Sequence, residues 1–162
     1  MKEDFNTSGK IKLKERLEIK HIRFDKDGNP KVIEERVIED EPEDIITNVG
    51  KAQVAGLING VVTTPFQYIA IGTVSTAEAA TDTALGGEVA RGLATCSRVT
   101  TNVSNDTAQL VYTFSFTASY AITESGVFDA SAGGNMLSRK TFSAINVVSG
   151  DSLQITWKIV VS

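Results

Sequence analysis

The sequence has few of the side chains that carry out chemistry in proteins. Its 162 residues include one cysteine, Cys96, one histidine, His21, and three prolines. One cysteine excludes a disulfide within the chain, so burial and hydrogen bonding must hold the fold together. A reactive thiol needs a basic neighbour, and we expect Cys96 to be a small apolar residue or an inert surface residue. His21 has no other histidine and no cysteine near it, which favours a solvated strand residue over a metal ligand.

Long apolar runs and a basic surface are also missing. Nothing approaches the roughly 20 apolar residues that cross a bilayer. The first ten residues, MKEDFNTSGK, lack the apolar segment of a signal peptide. We therefore expect no membrane association and a product that stays in the cytoplasm when it is synthesised. The net charge of −4 comes from both signs mixed together, which gives no continuous basic surface, so nucleic-acid binding is not expected.

The charges that are present lie mostly at one end of the chain. Of the 36 Lys, Arg, Asp and Glu residues, 24 fall between Lys2 and Lys51, and none falls between Ala52 and Ala77. The last 95 residues are rich in Thr, Ser, Val, Ala and Gly. The pattern predicts a charged N-terminal arm and β-hairpin over residues 1–44 and a β body over residues 45–162. A chain of this length is expected to form one structural unit.

The front end has the pattern of a β-hairpin. Apolar and polar residues alternate from Ile11 to Ile19, as in a half-buried strand. The turn residues Asp25 to Pro30 interrupt the pattern, and extended character resumes after them, so Leu17 to Ile38 is predicted to form a hairpin. We expect the acidic run Glu39 to Asp44 to be a loop and Met1 to Lys10 to be frayed.

The body is predicted to contain one short helix followed by strands. Thr47 or Asn48 can cap the helix, and Asn59-Gly60 can end it. The predicted strands are Phe66 to Thr73, Glu88 to Thr101, Leu110 to Tyr120, Ile122 to Ala130, Met136 to Phe142 and Leu153 to Val161. Trp157 lies on the apolar face of the last strand, and we expect that face to be core. Strands at this spacing with short turns predict a mainly β protein, an antiparallel β-sandwich.

Five polar or small residues in the predicted strands suggest local roles. Gly72 and Gly126 interrupt apolar strands, where glycine often marks a bulge or a close backbone approach. Arg91 is expected to pair with Glu124 or Asp129 and so to fix two strands in register. As a catalytic alternative, Glu124 and Asp129 are a candidate carboxylate pair of a glycoside hydrolase, but their odd spacing puts them on opposite faces of a regular strand.

Other reactive constellations are incomplete. Asp25, Asp27 and Asn29 resemble the start of a calcium loop, but Pro30 replaces the required Gly and Arg36 stands where the last Glu ligand belongs. The sequence has no phosphate-binding glycine loop and no nucleophile elbow. We therefore expect no catalytic, cofactor-binding or metal-binding residues, and no enzymatic activity.

Several blocks of the body resemble a known group of proteins. The blocks IAIGT, TDTALGGEVAR, ITESGVFDA and LQITWKIVVS resemble, in that order, small structural proteins of tailed bacteriophages and prophages. The middle pair also resembles the N-terminal module of phage tail-collar fibres, whose blocks read more like TALVNEVYR and REVGLFD. This chain departs from that module at Ala90 and Ser125, and we expect it to have no fibre shaft or tip. The resemblance covers about Thr47 to Ser162.

The resemblance implies a non-enzymatic virion protein. Our first expectation is an accessory capsid protein of the decoration type, which bridges shell subunits. The alternatives are a tail or neck component, such as a fibre adaptor or baseplate protein, and a module that binds a receptor or glycan through loops such as Val74 to Leu85. The implied partners are other copies of the chain, with a trimer expected by analogy, and the major capsid protein or tail and neck proteins of the virion.

Overall fold

The computed structural model describes residues 9–39 and 45–162. Most of the predicted frayed start and acidic loop therefore lies outside the described residues. The strands are β1 (Leu13–Phe24), β2 (Pro30–Ile38), β3 (Tyr68–Gly72), β4 (Glu88–Leu93), β5 (Thr95–Val99), β6 (Thr107–Ser115), β7 (Tyr120–Phe128), β8 (Met136–Val147) and β9 (Ser152–Val161), and the helix is α1 (Asn48–Asn59).

Two antiparallel sheets face each other, as the sequence predicted. One sheet has the order β2-β1-β9-β6-β5, and the other has the order β4-β3-β7-β8. The core between them contains the apolar face of β9, with Trp157 fully buried and its Nε1 donating to Ser125 Oγ at 3.0 Å. Trp157 is buried because β9 alternates strictly, so that one face of the strand is entirely apolar and packs into the core.

The front hairpin is an integral part of the five-stranded sheet. Strand β1 pairs with β9 from Leu13 opposite Val161 to Ile22 opposite Ser152. Leu17 is fully buried in the main core. The boundary at residue 44 thus separates a charged segment from a neutral one in the sequence, but β1 shares its sheet and its core with the body.

Helix α1 begins and ends where the sequence predicted. The side chain of Thr47 accepts a hydrogen bond from the N–H of Gly50 at 2.9 Å, and Gly60 ends the helix with a φ of 75°. Gly50 lies against strand β8, where a Cβ atom would come within 2.8 Å of the Leu137 carbonyl oxygen. The helix buries only Gly50 and Gln53, so most of its surface faces away from the sandwich.

Some predicted strand boundaries were wrong. Residues 88–101 were expected to form one strand, but they form β4 in one sheet and β5 in the other, joined at the buried Ala94. The N–H of Ala94 donates to the Gln67 carbonyl at 2.8 Å, which satisfies the backbone at this corner. Tyr120 begins β7 and does not end β6, and β8 continues past Phe142 to Val147. Alternation alone does not reveal where a strand changes sheets.

A second, smaller core lies on the outer face of the four-stranded sheet. Ala70, Leu85, Phe128 and Met136 are buried together there. Leu85 belongs to the loop between β3 and β4, so this loop covers the sheet. Gly126 lies beneath it, where a Cβ atom would come within 2.9 Å of the Leu85 side chain. The predicted close approach at Gly126 is confirmed.

Candidate functional site

The most elaborate polar arrangement surrounds Glu124 on β7. Its carboxylate is completely buried and accepts hydrogen bonds from Arg139 Nε at 2.8 Å and from the backbone N–H groups of Gly87 at 2.8 Å, Gly86 at 3.0 Å and Val74 at 3.2 Å. Burial opposes ionisation of this group, but the hydrogen bonds from Arg139 and the three N–H groups outweigh it and lower the pKa of Glu124. The buried side chain is therefore an ionised carboxylate.

The Glu124 carboxylate holds both ends of the loop between β3 and β4. Gly72, at the end of β3, leaves the space the carboxylate occupies, because a Cβ atom there would overlap Glu124 Oε1 and lie 2.6 Å from the Gly87 carbonyl oxygen. The pairing of β3 with β4 also shifts register at this glycine. The sequence predicted either a bulge or a close backbone approach at Gly72, and the structure has both.

Arg139 on β8 joins the middle of the same loop to the sheet. Its side chain is 4% exposed and lies between Glu124 and Asp82, with Nη1 at 3.2 Å from Asp82 Oδ2. Carboxylates on two sides keep the guanidinium paired, and they raise the pKa of Arg139 against the opposing effect of its burial. The charge of the buried Glu124 is thereby compensated inside the protein.

Asp129 fixes helix α1 and the turn that follows β7. Asp129 Oδ2 accepts from Gln53 Nε2 at 3.0 Å and from Asn135 Nδ2 at 3.1 Å, and Oδ1 accepts from the Asn135 N–H at 2.7 Å. Gln53 is one of the two buried residues of the helix. The Asp129 carboxylate thus connects the helix to the glycine-rich turn before β8.

The predicted pairing of Arg91 with Glu124 or Asp129 is wrong. Arg91 pairs with Glu88, with Nη2 at 2.6 Å from Glu88 Oε2, and its guanidinium lies 3.6 Å above the centre of the Phe128 ring. Arg91 Nη1 also donates to the Ala130 and Gly133 carbonyls at 2.9 Å. Glu124 is unavailable to Arg91 because Arg139 and the loop N–H groups already surround its oxygens.

Glu124 and Asp129 do not have the environment of a hydrolytic pair. Each carboxylate accepts hydrogen bonds from groups that position a loop or a helix. A general acid and a nucleophile must reach a substrate on opposite sides of the bond that breaks. Glu124 is enclosed by the loop between β3 and β4. Its carboxylate holds that loop on the sheet, and the Asp129 carboxylate holds helix α1.

Two further ionic groups are buried at the five-stranded sheet, and the sequence reasoning missed both. Glu15 and Lys140 form an ion pair at 3.3 Å between the sheets, with side chains 0% and 1% exposed. The alternation of β1 places Glu15 at an inward position between Leu13 and Leu17. This position in the pattern predicts a buried charge. Asp151, just before β9, is the second case.

Asp151 binds the front hairpin to the start of β9. His21 Nε2 lies 2.8 Å from Asp151 Oδ2, and Arg23 Nε donates to Asp151 Oδ1 at 2.8 Å. The Arg23 guanidinium lowers the pKa of Asp151 most strongly, against the effect of burial, with further help from the N–H of Val148. His21 is buried, so the expectation of a solvated residue was wrong. Its position opposite Leu153 on the inner face explains the burial.

The calcium-like sequence forms a hairpin turn, as predicted. Asp25 Oδ1 accepts from the N–H groups of Asp27 and Asn29 at 2.9 Å, and Asp25 Oδ2 accepts from Asn29 Nδ2 at 3.2 Å. In residues 9–39 and 45–162, His, Cys, Asp and Glu side chains do not form any group of three or more that could hold a metal. Cys96 is an exposed residue of β5, and partial burial of its thiol raises the pKa of that thiol.

The surface offers an open sheet edge with apolar side chains. Strand β2 pairs with β1 on one side, and no other strand in the described part of the chain pairs with it. Val32, Ile33 and Val37 on this strand are about half exposed. A second apolar region lies at the C-terminal end of helix α1, where Ile58 in the last turn and Val61 just after the helix are largely exposed. These regions are the candidate interaction surfaces.

Comparison with known proteins gives no match: no family model, no curated protein and no solved structure is significantly similar to this chain. Within the residues that the structure describes, no helix is long and apolar enough to span a membrane.

Proposed function

We propose that the chain is a non-enzymatic structural protein of a bacteriophage virion. The observation that carries this proposal is that the phage-like blocks bind one another. Glu124, from the block ITESGVFDA, accepts the N–H groups of Gly86 and Gly87, from the block TDTALGGEVAR. Asp82 of the second block pairs with Arg139, which pairs with Glu124. The carboxylates Asp82 and Glu124 of these blocks therefore serve as structural groups that bind the blocks to each other and to β8.

Within the virion, we propose a decoration role on the capsid shell. A small sandwich with an open edge strand and exposed apolar side chains has the means to bind neighbouring proteins through strand pairing and burial. Bridging shell subunits in this way would add buried area to the shell and stabilise it by linkage. A tail or neck position would use the same surfaces, so the fold is compatible with both.

Glycan binding is the less favoured alternative. Carbohydrate sites commonly present aromatic side chains to the sugar, and among the described residues the exposed large aromatic side chains are Phe24 and Tyr120. Phe24 lies at the end of β1, and Tyr120 begins β7. Neither belongs to the loop between β3 and β4, where a glycan site was considered.

Quantifying the protein in purified particles tests the proposal. Particles induced from a strain that carries the gene are purified, and the chain is measured against the major capsid protein by quantitative mass spectrometry. A decoration protein is expected in hundreds of copies, whereas a tail or neck component is expected in one or a few rings. Absence of the chain from intact, infectious particles would show that it is not a virion protein.

The non-enzymatic part of the proposal has its own test. Glu124→Gln and Asp129→Asn together are expected to lower the stability of the protein, since both carboxylates hold structural donors. The variant and the parent are assayed for release of reducing sugar from bacterial cell-wall and capsular polysaccharides. Hydrolysis by the parent that the folded variant has lost would contradict the proposal.

A further inference from the structure

Strand β2 has the features of a contact surface along its whole free edge. Its ladder with β1 runs from Leu17 opposite Ile38 to Phe24 opposite Pro30, and its other edge has no strand partner among the described residues. Strand β1 extends past the end of β9, because Arg23 and Phe24 have no partner on that strand. The hairpin thus projects from the sandwich and is accessible to another chain.

The order of charges on β2 favours one particular occupant. The residues Ile33-Glu34-Glu35-Arg36-Val37 are self-complementary when two copies run antiparallel about Glu35. In that register Ile33 faces Val37 of the other copy, and Glu34 faces Arg36. Cross-strand pairs of opposite charge and of β-branched residues stabilise antiparallel strands. Charges on an edge strand ordinarily oppose pairing with other strands. Between two copies of β2 in this register, however, Glu34 and Arg36 lie opposite each other and attract.

We propose that two copies of this chain associate through their β2 strands, antiparallel and centred on Glu35, so that two five-stranded sheets join into one of ten strands. The inference does not depend on the proposed function in a virion. It replaces the expectation of a trimer at this contact, because an antiparallel pair of identical strands has two-fold symmetry.

Existing ion pairs prepare the centre of this contact. The two Glu35 side chains meet at the symmetry axis, where like charges would repel, but each already has Lys20 Nζ of its own chain at 3.2 Å from Oε1. On the other face, Arg36 pairs with Glu34 of its own chain and also donates to the carbonyls of Ser143 and Ala144 on β8. Association brings the two Arg36 and two Glu34 side chains into one alternating cluster of four charges.

The geometry of β2 also limits the register. The pairing of β1 and β2 shifts between His21 and Ile22, which places a bulge near Ile33. Alternation of the two faces is regular only from Glu34 to Ile38, so a register centred on Val32 or Ile33 would place the irregular segment in the middle of the contact. The exposed Val37 side chains supply apolar area on the face that also carries Glu35.

A cysteine placed at the axis tests the contact directly. Cα atoms of directly opposed residues in antiparallel strands lie about 4.5–5.5 Å apart, within the range that a disulfide spans. The variant is Glu35→Cys with Cys96→Ser, and its matched control is Ser97→Cys with Cys96→Ser, which puts the cysteine on β5 at the opposite edge of the same sheet. Under oxidised glutathione we expect the first variant to form a covalent dimer and the second to stay monomeric.

A charge exchange tests the register without a covalent bond. Glu34→Arg alone and Arg36→Glu alone each bring like charges together across the contact, and each is expected to raise the dimer dissociation constant about tenfold or more. Glu34→Arg combined with Arg36→Glu restores opposite charges in the same register and should return the constant to within about threefold of the parent. Sedimentation equilibrium over a wide range of concentrations measures the constants, and circular dichroism checks the fold of each variant.

Each outcome decides the proposal. A parent that is monomeric or trimeric at every concentration overturns it, as does cross-linking at residue 97 with none at residue 35. If a single charge variant does not fold, the cysteine pair alone carries the decision. Presence or absence of the chain in virions leaves this result unchanged, so failure of one proposal is distinguishable from failure of the other.

Discussion

Removal of the Glu124 side chain tests whether a buried carboxylate holds the loop between β3 and β4. Glu124→Ala deletes the acceptor of four hydrogen bonds and leaves Arg139, whose side chain is 4% exposed, with Asp82 at 3.2 Å as its remaining carboxylate. Breaking a buried ion pair by removing one partner costs about 3–5 kcal/mol. Because Asp82 still compensates part of the charge, we expect a loss of about 3 kcal/mol in the free energy of unfolding.

The assay for this prediction is urea unfolding combined with native-state hydrogen exchange. The amides of Val74, Gly86 and Gly87 donate to Glu124 in the parent, so their protection is expected to fall more than that of amides in β9. Glu39→Ala is the matched control, because it removes a carboxylate from the exposed pair with Arg16, and such pairs contribute about 0–1 kcal/mol. If Glu124→Ala costs no more than Glu39→Ala, the carboxylate does not hold the loop and our account of it is wrong.

Three further predictions concern the core, the pH dependence and the front hairpin. Trp157→Ala should cost about 3–5 kcal/mol in urea unfolding because the ring is fully buried, and a variant with parental stability would show that the face of β9 is not core. The pKa values of Asp151 and Glu124 are lowered in the folded protein, so the unfolded chain binds more protons in acid. Their stabilisation should therefore be complete above about pH 5 and decline progressively below about pH 4; thermal unfolding from pH 7 to pH 3 measures it, and an unchanged midpoint would contradict it. Deletion of residues 1–44 removes β1 and β2, so β9 loses its neighbour in the sheet and the core loses Leu17; we expect cooperative unfolding to be abolished, and a truncated chain with a sharp thermal transition would refute that role of β1.

Local patterns in the sequence predicted much of the fold. Helix α1 was predicted to its ends because Thr47 and Gly60 have conformational roles that depend on adjacent residues alone. Strand β9 and the turn at Asp25 to Pro30 were predicted for the same reason. The pairing of β1 with β9 and the change of sheet at Ala94 depend on residues far apart in the chain, so no local pattern predicts them.

The polar residues show the same limit. Glu124 and Arg91 were correctly singled out, but their partners were not, because Arg139 reaches Glu124 from a neighbouring strand while Arg91 turns towards Phe128. A lone histidine in a charged segment suggested exposure, yet His21 faces inward because every second residue of β1 does. The period-two alternation of β1 continues through its charged residues. If it is applied to every residue of the strand, it places both His21 and Glu15 in the interior.

The position of β9 in the middle of the five-stranded sheet has a consequence for how the chain is made. Both of its neighbours, β1 and β6, precede it in the sequence, so the ribosome synthesises them long before the strand that joins them. Until residues 152–161 emerge, Leu17 and Leu110 lack the strand that lies between β1 and β6 in the finished sheet. Folding of this sheet must then wait for β9 to emerge, and the nascent chain exposes apolar surface during that interval.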